Sequence, residues 1–89
     1  MDLEKIRAYV YQHLLHHHDG ASRDALHDGL KKEHKLSEEE DLEVHRHLDW
    51  LADDMDRRGY LVDGVNLWKL TPRGQDAAER YLDEHGYPR

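Results

Sequence analysis

The 89-residue sequence has no cysteine, no phenylalanine and only two prolines. Without cysteine, the chain has neither a disulfide nor a thiolate metal site to reinforce its fold, and nothing marks a secreted protein. The N-terminus has no signal-peptide pattern, and no apolar run approaches the roughly 20 residues that span a bilayer. We therefore expect a cytoplasmic protein with no membrane partner.

The sequence signatures of enzymes are also missing. Ser22, Ser37 and Thr71 are each placed to cap a helix, and no glycine-rich phosphate loop is present. A chain of this length that commits its apolar residues to one core has little room for a pocket. We expect no enzymatic activity and no cofactor.

The apolar residues are enough for one small core. Thirteen leucines, four valines and two tryptophans provide most of its volume. No internal repeat and no linker divides the chain, so we predict a single domain over residues 1–89.

The longest periodic segment is a predicted helix over residues 38–58. Ser37 and Glu40 have the spacing of a capping box at its start, and Gly59 is placed to leave the helix in a left-handed conformation. Four apolar residues recur with helical spacing along it: Val44, Leu48, Leu51 and Met55.

Three further helices are predicted from apolar spacing and capping residues. The first covers residues 1–18, and the second begins at Ser22. The fourth begins at Thr71, with Pro72 in its first turn, and ends at Gly86.

Residues 60–70, between the third and fourth helices, have the pattern of a β-hairpin. Two apolar segments flank Asp63-Gly64, and Asp-Gly is the strongest short-range signal for a two-residue hairpin turn. The sequence therefore predicts a mainly α fold with a small β-hairpin. The predicted order is three helices, two strands and a fourth helix.

A long helix that ends in Gly59-Tyr60-Leu61, with a hairpin closed by Leu70-Thr71-Pro72-Arg73-Gly74, resembles the winged helix-turn-helix superfamily. In small transcription regulators of that type, the last core helix carries the recognition surface and the hairpin forms the wing. The resemblance implies a winged-helix DNA-binding transcriptional regulator, forming a homodimer, with helix 38–58 and the wing facing double-stranded DNA.

The basic residues that could hold DNA cluster after the second helix and near the base of the hairpin. Arg46 and the two histidines beside it could reach toward bases. The predicted DNA-binding residues are Lys31, Lys32, Lys35, His45, Arg46, His47, Arg57, Arg58, Lys69 and Arg73.

The distribution of charge opposes insertion of helix 38–58 into DNA. The net charge is −7, and residues 37–56 contain nine acidic residues against Arg46 alone. The remaining residues are close to neutral, so the acidity belongs to this helix. Carboxylates at its leading end should repel phosphates.

The same acidity favours an alternative, an acidic protein-interaction module that binds a basic protein surface. At 100° per residue, Leu42 and Trp50 fall opposite the apolar stripe. They would be exposed unless the second helix covers Leu42 and the hairpin or another helix covers Trp50. The predicted interface residues are Glu39, Leu42, Glu43, Asp49, Trp50 and Asp53.

Nine histidines raise the question of metal binding or pH sensing. His13 and His17 have the i, i+4 spacing that can hold a divalent ion, and His45 with His47 forms a second cluster. Neither cluster has a defined third ligand. We therefore predict no dedicated metal site, with His13 and His17 as the weak candidates.

Overall fold

The structure, a computed structural model, describes residues 2–89 and contains four α-helices. They are α1 (Leu3–His16), α2 (Arg23–His34), α3 (Glu38–Arg57) and α4 (Pro72–His85). α1 contacts each of the other three helices, and α2 also packs on α3. All four helices lie where the sequence predicts them, although α1 is shorter than residues 1–18, and Met1 lies outside the described residues.

Each helix begins at a polar side chain that accepts a hydrogen bond from a backbone N–H of the first turn. These N-caps are Asp2, Ser22, Ser37 and Thr71. At Ser37 the bond is reciprocated, since the Ser37 N–H donates to the Glu40 carboxylate at 3.3 Å. The predicted capping box is therefore confirmed, and the caps satisfy backbone donors that have no partner within the helix.

The buried apolar side chains form one cluster to which every helix contributes. The predicted stripe of α3 is buried along its whole length, with Val44, Leu48 and Met55 fully inaccessible. The other helices supply Ile6, Val10, Leu14, Leu26, Leu30, Ala78 and Leu82. None of the helices within residues 2–89 is both long and apolar enough to cross a membrane.

The predicted β-hairpin is wrong. Among the described residues no β-strand forms, and regular pairing is limited to two isolated bridges, Leu61 with Leu70 and Ala21 with Trp68. The winged helix-turn-helix fold class, with its two strands before the last helix, is therefore corrected to an all-α arrangement of four helices.

The reason for this error is the position of Trp68. A two-residue turn at Asp63-Gly64 would pair Val62 with Val65, but the Val62 N–H donates instead to the carbonyl oxygen of Lys69 at 2.8 Å. Trp68 is 8% exposed, and its backbone exchanges hydrogen bonds of 2.8 and 3.0 Å with Ala21. Burial of a large aromatic ring outweighs the local turn preference and leaves residues 63–67 as an open loop.

The structure predicts that alanine substitution lowers the stability of the fold at one leucine of α3 but not at another. Leu48→Ala should lower the free energy of unfolding by about 2–5 kcal/mol, because it leaves a cavity at a fully buried site. Leu42→Ala, the matched control at a residue that is 60% exposed, should change it by less than about 0.5 kcal/mol. Urea denaturation followed by circular dichroism measures both, and equal losses would contradict the assigned orientation of α3.

A second prediction is that alanine substitution has different effects on stability at two helical glycines, Gly74 and Gly29. A Cβ at Gly74 would overlap the backbone carbonyl oxygen of Tyr60, whereas a Cβ at Gly29 would overlap only the end of the Tyr9 side chain, its hydroxyl group and the ring carbon that carries it. The backbone cannot move freely but the tyrosine can rotate. Gly74→Ala should therefore lower the free energy of unfolding by about 1–3 kcal/mol, as overpacking does.

Gly29→Ala, in contrast, should gain up to about 1 kcal/mol of helix propensity once Tyr9 has rotated. Thermal melts of the two variants provide the measurement. A stabilised Gly74→Ala variant would show that α4 does not approach Tyr60 this closely.

Candidate functional site

Burial of the α3 stripe turns the opposite side of this helix toward solvent. We call this side the α3 outer face: Leu42, Arg46, Asp49, Trp50, Asp53 and Arg57, all exposed. Leu42 is 60% exposed and Trp50 is 51% exposed, so neither is covered by α2 or by the segment after α3. The remaining predicted interface residues, Glu39 and Glu43, are exposed on the same helix.

Trp50 lies at the edge of the α3 outer face that borders α1. The guanidinium carbon of Arg7 is 5.6 Å from the centroid of the Trp50 ring and 5.6 Å from that of Tyr81. Leu3, itself 52% exposed, lines the same shallow depression. A cation between two aromatic rings holds Trp50 in place while half of its surface remains in water.

A groove of about 510 Å³ lies between α3 and the loop that follows it. We call it the acidic groove because four aspartates line it. Its wall also includes Val65 and Leu67, which are 48% and 42% exposed. The groove thus combines negative charge with apolar surface. The four aspartates are Asp49, Asp53, Asp56 and Asp63.

Two of these aspartates are close enough to interact directly. A side-chain hydrogen bond with Asp63, together with repulsion between the two carboxylates, raises the pKa of Asp56 above its ordinary value of 3.8. Two carboxylates that line the same groove and repel each other leave negative charge there that a cationic group could neutralise. The sequence analysis missed this pair, because it placed Asp63 at the tip of a hairpin.

Two of the four arginines predicted to contact DNA form ion pairs with aspartates of α3. Arg57 donates to Asp53 at 2.7 Å, and Arg58 donates to Asp54 at 3.1 Å. The hydrogen bond to Asp54 is the main cause that raises the pKa of Arg58. Arg23 of α2 similarly pairs with Asp49. These ion pairs reduce the positive charge available for phosphates.

The structure does not bring the two predicted basic clusters together. Lys31, Lys32 and Lys35 are exposed at the end of α2, just before α3 begins. The other cluster, Arg57, Arg58, Lys69 and Arg73, is exposed beyond or near the opposite end of α3. At 1.5 Å per residue, the 20 residues of α3 separate these ends by about 30 Å. The acidic side of α3 lies between them.

His27, Asp41 and His45 form a cluster where α2 packs on α3. His27 Nε2 lies 2.5 Å from Asp41 Oδ1, and the two imidazole centroids are 4.0 Å apart. The bond from His27 is the main cause that lowers the pKa of Asp41 below 3.8. Ligand atoms of all three residues lie within 4.8 Å of one another. His45, predicted as a DNA contact, therefore faces α2, whereas Arg46 faces solvent.

The sequence-based metal candidates have a less suitable arrangement. The rings of His13 and His17 stack 4.0 Å apart and within 5° of parallel. The His17 Nδ1 atom also lies 2.7 Å from the His13 carbonyl oxygen, a hydrogen-bond distance. Parallel rings direct their nitrogen lone pairs along parallel planes, so the lone pairs do not converge on one ion.

No protein-family model, curated protein or solved structure matches this chain. The interpretation of its surface therefore depends on the geometry described above.

The raised pKa of Asp56 predicts how one substitution changes stability with pH. A raised folded-state pKa gives stability that is fully present below the ordinary value of 3.8 and lost as the pH rises through the folded-state value. At pH 7 the ionised pair therefore destabilises the fold. Asp56→Asn should raise the melting temperature at pH 7, with a gain that shrinks as the pH is lowered toward 3.8.

The matched control is Asp76→Asn on α4, where the carboxylate pairs with Arg80 at 3.1 Å. This variant should show no gain at pH 7. Melts followed by circular dichroism across a pH series give both results. An equal gain in the two variants would mean that only the net charge matters.

Proposed function

We propose that this protein is an interaction module that binds a basic, partly apolar segment of a partner protein in the acidic groove. The observation that carries the proposal is the composition of the groove wall. It contains four aspartates, Asp56 and Asp63 among them, next to the exposed side chains of Val65 and Leu67.

The electrostatic part of the proposal depends on charge complementarity. A lysine or arginine of the partner would bind between Asp56 and Asp63 and relieve the repulsion between the two carboxylates. The nine acidic residues of segment 37–56 would attract such a partner from a distance. Because Arg57 already pairs with Asp53, little positive charge on α3 opposes this attraction.

The apolar part of the proposal depends on side chains that the fold leaves uncovered. Val65 and Leu67 border the groove, and Leu42 and Trp50 continue along the α3 outer face. Interfaces generally place apolar and aromatic anchors inside a polar rim, and tryptophan is enriched among the residues that dominate binding energy. A partner with lysines or arginines beside leucine-like residues would match both features.

Recognition of double-stranded DNA by a homodimer stays a prediction from the sequence. It has less support, because it would place the exposed carboxylates Glu38, Glu39 and Glu43 near phosphates. Its basic contacts are also divided between the two ends of α3. We use DNA as the competing ligand in the test.

The test compares three fluorescently labelled probes by anisotropy over a salt series. They are a short peptide of repeated Lys-Lys-Leu units, a peptide of the same charge with repeated Lys-Lys-Ser units, and random-sequence duplex DNA. We expect the Lys-Lys-Leu peptide to bind most tightly, with an affinity that falls as salt rises. The Lys-Lys-Ser peptide should bind more weakly, and the duplex should not bind.

A charge-reversal pair locates the binding surface. Replacing Asp56 and Asp63 by lysine should weaken peptide binding by about 10-fold or more, since two attractive contacts become repulsive. The control makes the same change in net charge at Glu33 and Asp76, which lie outside the groove. Equal losses in the two double variants, or duplex binding tighter than peptide binding, would contradict the proposal.

A further inference from the structure

We propose that His27, Asp41 and His45 bind a divalent transition-metal ion, most suitably zinc, in a site that bridges α2 and α3. Among residues 2–89, these three residues form the one group of histidine and carboxylate side chains whose ligand atoms converge. None of them lines the acidic groove, so this site is separate from the proposed interaction surface.

The backbone positions of the three residues suit a bridging site. Asp41 and His45 are four residues apart on α3 and lie on the same side of that helix. His27 reaches them from α2, which packs on α3. An ion held by side chains of both helices would therefore crosslink them.

The distances between ligand atoms are close to those of a zinc site. With zinc–ligand bonds of about 2.0–2.1 Å, neighbouring ligand atoms in a tetrahedron lie about 3.3 Å apart. Here the ligand atoms lie within 4.8 Å of one another, and His27 Nε2 and Asp41 Oδ1 are 2.5 Å apart. Small side-chain rotations would bring the three atoms to equal spacing and leave a fourth position for water.

The donor set and the partial burial also favour this ion. Two imidazoles with one carboxylate are ligands that zinc accepts. The side chains of His27 and Asp41 are 13% and 26% exposed, so solvent can reach the cluster but the side chains are restrained. The two histidine rings are tilted by 31°, unlike the nearly parallel rings of His13 and His17.

The charges around the cluster do not exclude a cation. Arg23 is the nearest, with its guanidinium 3.3 Å from His45 Nδ1, but it also bonds to the His45 carbonyl oxygen at 2.8 Å and pairs with Asp49. A second carboxylate, Asp28, lies 4.0 Å from His27 Nδ1 and could orient that ring.

The test is a titration of the full chain, carrying no affinity tag, with zinc chloride in an isothermal calorimeter at neutral pH. We expect one ion per chain, bound with micromolar or tighter affinity. Zinc should also raise the melting temperature, because an ion that binds only the folded state stabilises it.

Three variants test which residues bind the zinc ion. His27→Ala and Asp41→Asn should each weaken zinc binding by about 10-fold or more, since loss even of an outer-shell partner costs about 10- to 100-fold. Asp41→Asn keeps the shape of the side chain, and the melting temperature without zinc shows whether each variant is folded. The control His13→Ala/His17→Ala removes the other histidine pair and should leave the affinity unchanged.

Two results would overturn the proposal. One is zinc binding that survives in folded His27→Ala and Asp41→Asn but is lost in the His13→Ala/His17→Ala control, which would assign the ion to the histidine-rich end of α1. The other is the lack of any zinc binding tighter than millimolar by the unsubstituted chain.

Discussion

Burial of the apolar stripe on α3 determines the surface of this molecule. Leu48 and its neighbours on the stripe point into the core, which fixes the rotation of α3 about its own axis. The rotation of α3 in turn fixes which way its remaining side chains point. Asp41 and His45 face α2, Trp50 faces α1, and Asp56 faces the loop before α4. The chemistry of the surface is thus a consequence of one packing interaction.

Trp68 is the second constraint, because it decides the shape of the segment between α3 and α4. Its ring is buried and its backbone is bonded to Ala21, in the connection between α1 and α2. The segment is therefore anchored at Trp68 and cannot close into a tight hairpin. Residues 63–67 form a loop whose aspartate and apolar side chains remain beside α3, where they make one wall of the acidic groove.

The sequence was sufficient to locate the four helices and the buried stripe of α3. Helical spacing and capping residues identify α3 from Ser37 onward, and the same spacing places Leu42 and Trp50 opposite the stripe, although only the structure shows that no other element covers them. These features depend on residues close together in the chain. Local patterns were therefore sufficient to predict the helices and the buried side of α3.

Features that depend on contacts distant in sequence could not be predicted. The pairing of Trp68 with Ala21 joins segments far apart in the chain, and it overrode the strong local preference of Asp63-Gly64. In the same way, the spacing of Asp41 and His45 is visible in the sequence, but their contact with His27 of α2 results from the packing of α2 on α3.

The two tryptophans differ in environment, and this gives the molecule two distinct optical probes. Trp68 is 8% exposed and Trp50 is 51% exposed. Collisional quenchers in solution should reach the indole of Trp50 and largely spare that of Trp68. The emission of a single unlabelled chain can therefore report separately on its surface and on its core.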